Sequence, residues 1–85
     1  MLDTKLYTIE EVRLRLIEEI KTHGSITGCC IKLGISTGVY YQIKYRTMLI
    51  PVVVQELLKI SKVMEGNRCI GYVCRKEIDW SSLWI

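Results

Sequence analysis

The chain has 85 residues, 49% of them hydrophobic and 25% charged, with one proline, six glycines and a formal charge of +3, which reads as one small folded domain spanning 1–85. No run approaches the roughly 20 apolar residues of a membrane helix, and no charged start leads into an apolar run, so neither a membrane partner nor a signal peptide is expected and the chain reads as cytoplasmic. A single histidine, no Ser/His/Asp set, no acid pair in an apolar frame and no glycine-rich phosphate loop argue against an enzyme, a cofactor or a small-molecule substrate.

After a short lead, Thr8-Ile9-Glu10-Glu11 has the form of a capping box, with Tyr7 and Val12 placed to staple across it. The spacing predicts a helix to about His23. Ile9, Val12, Leu16 and Ile20 lie on one face, widened by Leu14 and Ile17. Glu11 with Arg15, and Arg15 with Glu19, stand four apart and support one another. Gly24 ends this helix, whose expected role is to brace the two helices after it. His23, with no second histidine near it, reads as a last-turn residue favoured by the helix dipole.

The next stretch, Ser25 to Arg46, reads as two short helices meeting at Gly34. Ser25 caps the first and Ser36 the second. Cys30 is the small inner residue where the two helices approach, Leu33 and Ile35 flank the turn, and Tyr40 and Ile43, three apart, face inward. Gly28, inside the first of these helices, costs roughly 1 kcal/mol relative to alanine; a close neighbour or a backbone approach to phosphate would explain it. Thr37, Gly38, Tyr41, Gln42 and Tyr45 are left outward on the second helix, with Lys44 and Arg46 at its flanks. Glutamine and hydroxyl side chains bond base edges, and cations neutralise phosphates. Ser25, Thr27, Ser36, Thr37, Gly38, Tyr41, Gln42, Lys44, Tyr45 and Arg46 are therefore the candidate DNA-contacting set. Charge placement agrees: from Lys21 to Gln55 there are four cations and no acid, so this segment carries +4 and the remainder −1.

ITGCCIKLGISTGVYYQIK, with its Leu33-Gly34-Ile35-Ser36 centre, resembles the helix-turn-helix of phage and bacterial regulators of the Cro/repressor type. The resemblance runs from about Ser25 to Met64. Cys30 stands where alanine is usual, and Tyr40 where valine or isoleucine is usual. The family implies double-stranded DNA as partner, a homodimer and a palindromic operator. Similar helix-turn-helix patterns occur in small terminase subunits and transposase arms.

Pro51 fits the first position of a further helix. Val54, Leu57 and Leu58 in VVVQELLKISKVMEG, with Val53, Ile60 and Met64, extend its pattern to Gly66. Beyond Asn67, RCIGYVCRK alternates loosely and suggests one β-strand. Its only apparent partner in the chain is the lead, Leu2 to Tyr7; a second copy across a two-fold axis would supply another. Small Cro-like proteins are similar in using a C-terminal strand to dimerise. Ile70, Tyr72 and Cys74 on the strand, with Trp80, Leu83 and Trp84 in the tail, are the candidate dimerisation residues. The tail either folds onto its own core or packs on a partner.

Cys29, Cys30, Cys69 and Cys74 lack the paired spacing of a zinc site and read as buried apolar thiols. The expected architecture is mainly α: four or five helices around a helix-turn-helix at 25–46, with a short C-terminal β-strand and tail at 67–85 used in dimerisation or core closure. The expected function is a small dimeric, Cro-like or autoregulatory repressor that binds a palindromic operator through the major groove. Alternatives are a DNA-packaging or recombination accessory (small terminase-like or excisionase-like), or a protein-interaction module.

Overall fold

A computed structural model describes residues 4–46 and 49–84. It is mainly α, with a three-stranded antiparallel sheet. In chain order come β1 (Lys5–Tyr7), α1 (Ile9–Thr22), α2 (Ile26–Leu33), α3 (Thr37–Arg46), α4 (Val52–Leu58), β2 (Ser61–Glu65), β3 (Arg68–Cys74) and a 3-10 helix (Trp80–Trp84). The Thr47 side of the α3 boundary and the Leu2 end of the lead lie outside the described residues.

The capping box at α1 forms as the sequence predicts. The Glu11 N–H donates to Thr8 Oγ1 at 3.0 Å, and the Thr8 N–H donates back to Glu11 Oε1 at 3.4 Å. Val12, Leu16, Ile17 and Ile20 are buried, whereas Leu14 is 52% exposed and does not widen the core face. Glu11 serves the cap, and Arg15 pairs with Glu19 at 3.9 Å. At the far end His23 is the C-cap, and its ring stacks on Trp84 with centroids 4.4 Å apart.

The expected helix from Pro51 to Gly66 is instead split. Pro51 is the N-cap and α4 stops at Leu58, because Lys59 turns into the left-handed region (φ 57). The Ile60 N–H then donates to Gln55 O at 3.0 Å, closing the last turn, and Ile60 is buried. The next residues form β2. A two-residue Gly66-Asn67 loop, with Gly66 at φ 63, returns the chain as β3 and pairs Glu65 with Arg68.

The expected strand therefore has partners within its own chain. The order is β1-β3-β2, so β3 is central. The lead pairs as expected from its position: Lys5 with Cys74, Leu6 with Val73 and Tyr7 with Tyr72. On the other side Val63 pairs with Gly71 and Met64 with Cys69, so Ile70 forms a bulge. Gly71 is required here, since a Cβ would lie 2.3 Å from Tyr7 O.

Most of the candidate dimerisation residues lie in or against the chain's own core. Tyr72, Cys74 and Leu83 are buried in the chain's own core, and Trp80 and Trp84 pack half-buried against it. Ile70 alone of that set stays exposed, because the bulge holds it away from the paired register. The tail folds back on its own domain: Ser82 Oγ donates to Leu57 O at 2.9 Å, and Lys32 Nζ donates to Trp84 O at 2.9 Å. Arg15 lies over the Trp80 ring at 5.4 Å.

One core unites the elements, with Leu16 and Ile20 of α1, Leu33 of α2, Tyr40 and Ile43 of α3, Val54 of α4 and Tyr72 of β3 almost fully buried. The Tyr72 hydroxyl accepts from the Ile50 N–H at 2.9 Å and so ties the sheet to the start of α4. Burial pushes that hydroxyl above the usual tyrosine range, and the Ile50 hydrogen bond opposes the shift.

Candidate nucleic-acid interface

The α2–α3 pair is built from local signals that act as the sequence predicts. Ser25 Oγ accepts from the Gly28 N–H at 3.0 Å, and Ser36 Oγ accepts from the Val39 N–H at 3.1 Å. Gly34 closes α2 at φ 76. Its N–H donates to Ile31 O at 3.1 Å, and the Ile35 N–H donates to Cys30 O at 3.0 Å. A Cβ on Gly28 would lie 2.9 Å from Ser25 Oγ, a side-chain tip that can turn aside, as Thr8 does for Glu11 at the start of α1.

Cys30 and Leu33 on α2 and Tyr40 and Ile43 on α3 are buried, as the inward assignment requires, and Ile35 is half-buried. Burial pushes the Cys30 thiol and the Tyr40 hydroxyl above their ordinary values. Cys29 is also buried, with its Sγ donating to Ile20 O at 3.5 Å. All four cysteines are free, and among the described residues no three potential ligands cluster to hold a metal.

Most of the outward set stays in solvent. Gly38 and Gln42 are exposed, Tyr41 is 45% and Tyr45 69% exposed, and Thr37 and Lys44 are half-buried. Ser25, Thr27 and Ser36 are exposed, with both serine hydroxyls already engaged in capping. The side chain of Arg46 lies outside the described part of the chain. Tyr41 and Tyr45, one turn apart, hold their rings parallel within 4° at 6.2 Å. Lys44 Nζ lies 5.1 Å from the Tyr45 ring centre, and hydrogen bonding to Tyr45 raises the Lys44 ammonium above its ordinary value.

Sequence reasoning missed Arg13, the only charged residue buried among those described. Its Nη1 donates to Ile43 O and Lys44 O, each at 3.1 Å. Its Nε donates to Glu10 Oε2 at 3.2 Å, and Nη2 to Glu10 Oε1. The helix period carried a signal for this contact. Position 13 falls between Ile9 and Ile20 on the apolar stripe, four after Ile9 and three before Leu16, so a cation there must find a partner inside. The two carbonyls it meets belong to the negative end of α3.

Tyr40 and Ile43 are the almost fully buried side chains of α3, and half-buried Val39 packs beside them against the core.

The chain matches no family model, and no significant match was found among curated proteins or solved structures. Among the described residues no helix is long and apolar enough to cross a membrane.

Proposed function

We propose that this chain is a sequence-specific DNA-binding transcriptional regulator, most simply a small repressor, in which α2 and α3 act as a helix-turn-helix and α3 enters the major groove. The observation that carries the reading is the two-sidedness of α3. Tyr40 and Ile43 dock it on the core, while Gly38, Tyr41, Gln42 and Tyr45 stand exposed on a segment with four cations and no acid. The likeness of Leu33-Gly34-Ile35-Ser36 to Cro/repressor-type regulators supports the same reading. A homodimer on a palindromic operator, with half-sites about 34 Å apart, remains the proposed assembly. Both edges of β3 are paired within the chain and the 3-10 tail packs on its own core, so of the candidate dimerisation residues Ile70 is the one left exposed for that assembly.

The test is selection from a randomised duplex pool at two salt concentrations, beside sedimentation of the free and bound protein. A recovered palindrome bound by two copies supports the regulator. Retention without sequence preference, with a steep salt slope and a larger assembly, points to a packaging or recombination accessory. Absence of binding at low salt overturns the DNA reading and favours a protein-interaction module.

A further inference from the structure

We infer that Arg13, held in place by Glu10, is a positioning residue for base reading, because it sets the tilt at which α3 presents Tyr41, Gln42 and Tyr45; the inference rests on the DNA-reading role of α3 proposed above. Val39, Tyr40 and Ile43 dock α3 on the core through its first two turns, whereas in its last turn Lys44 is half-buried and Tyr45 exposed. A helix docked by its first turns alone can swing at its far end, and a fixed point at that end removes the freedom.

The carbonyls of Ile43 and Lys44 provide it, both bonded to one Arg13 nitrogen at 3.1 Å across a separation of 30 and 31 residues. The other side of the guanidinium is filled by the Glu10 carboxylate through Nε and Nη2. A planar fork can hold two carbonyls and a carboxylate at once in fixed directions, whereas an ammonium cannot. The Arg13 side chain is only 10% exposed, which shields its bonds to the two carbonyls, whereas the Glu10 carboxylate is 56% exposed. Glu10 is itself anchored to α1 by one turn of helix. The α3 terminus is thereby referenced to the longest rigid element of the chain.

The consequence falls on specificity rather than on attraction. Bonds to base edges require placement within about 0.5 Å and 10–20°, whereas phosphate attraction tolerates a rocking helix. Arg13 meets no base in this arrangement; it acts through the carbonyls of α3.

The experiment compares the wild type, Arg13→Met and Arg13→Lys on the preferred duplex from the pool selection and on a scrambled duplex, at two salt concentrations. Folded protein is verified by near-ultraviolet dichroism. The expected result is a fall of about tenfold in the ratio of the two affinities for Arg13→Met, roughly one lost base contact. Arg13→Lys should show a smaller fall, with the salt slope unchanged in both. A merely structural role would lower the melting temperature and the active fraction without moving that ratio. Folded variants that keep the wild-type ratio overturn the inference while leaving the DNA reading intact. Should Arg13→Met not fold, Arg13→Lys decides alone. A wild type that binds every duplex equally removes the base-reading role of α3, and the inference falls with it.

Discussion

Two helices of this chain end in the same way, and one of those endings is announced by its residue while the other is disguised. At the end of α2, Gly34 sits at φ 76 and the Ile35 N–H returns to Cys30 O. At the end of α4, Lys59 sits at φ 57 and the Ile60 N–H returns to Gln55 O. The hydrogen-bond pattern is the same in both, with an apolar residue following the left-handed one. Glycine adopts that conformation at little cost, so local chemistry alone stops α2. Lysine adopts it at a cost of roughly 1–2 kcal/mol, and something beyond the helix must offset that. The compensation is visible: Ile60 is buried, and the residues after it hydrogen-bond to β3. The end of α2 is thus a local decision, and the end of α4 is a tertiary one.

That contrast can be broken most forcefully at Ile60. Ile60→Ala should cost about 2–5 kcal/mol, read as a drop in the urea or thermal midpoint. Hydrogen exchange at the β2 amides should accelerate more than exchange in α2. Uniform acceleration across both regions would show that the second ending does not depend on Ile60 in particular.

At the first ending the sensitive atom is a Cβ. Gly34→Ala should destabilise by about 1–2 kcal/mol, even though the nearest atom, Val53 Cγ2, would lie at an ordinary 3.7 Å. A neutral result in chemical denaturation would mean that the turn tolerates another conformation.

The mirror experiment has the opposite sign. Lys59→Gly removes the left-handed strain but loosens the unfolded chain, so a net gain of about 0.5–1 kcal/mol is expected. Equilibrium unfolding in urea checks it; a loss of stability would show that the Lys59 side chain holds the junction in some further way.

The smallest effect concerns the tie between α1 and α3. Hydrogen bonding from Arg13, followed by its charge, holds the Glu10 carboxyl below its ordinary value of 4.5. A carboxyl lowered on folding stabilises the native state fully above its unfolded pKa and loses that contribution as pH falls through the folded value. The wild type should therefore lose stability on acidification below about pH 4.5 more steeply than Glu10→Gln. Coincident acid limbs for the two proteins, measured by thermal melts from pH 6 to 3, would remove Glu10 from the account.

Much of the architecture and of the candidate interface was legible in the sequence, and the legible parts share a cause. Thr8, Ser25 and Ser36 cap helices with hydroxyls that reach backbone N–H groups three residues away. Gly24 and Gly34 mark helix ends with positive φ. Tyr40 and Ile43 share a face because helix geometry places them there. Each of these is decided within one or two turns of chain, where residue type and spacing are sufficient.

The features that needed the tertiary structure lie where distant segments compete for the same residues. Ser61–Glu65 continues the apolar pattern of α4 yet pairs as β2, because hydrogen bonding along β3 and burial of Ile60 outweigh the propagation of a helix whose start is rich in β-branched valines. The Gly66-Asn67 pair was the local hint of that hairpin. Tyr72 and Cys74 turn inward because they share the face of β3 that packs on the helices, while β1 and β2 pair its two edges. Trp84 is claimed by His23 and Lys32, both far away in sequence. Arg13 joins the core because the end of α3 brings it two carbonyls and Glu10 balances its charge. By itself the sequence determined where helices begin, where glycine lets them end and which face of α3 is polar, since these depend on local hydrogen bonding and helical period. Tertiary structure decided which strand is central, where the tail lies and how α3 is held, since each depends on burial and on partners dozens of residues apart.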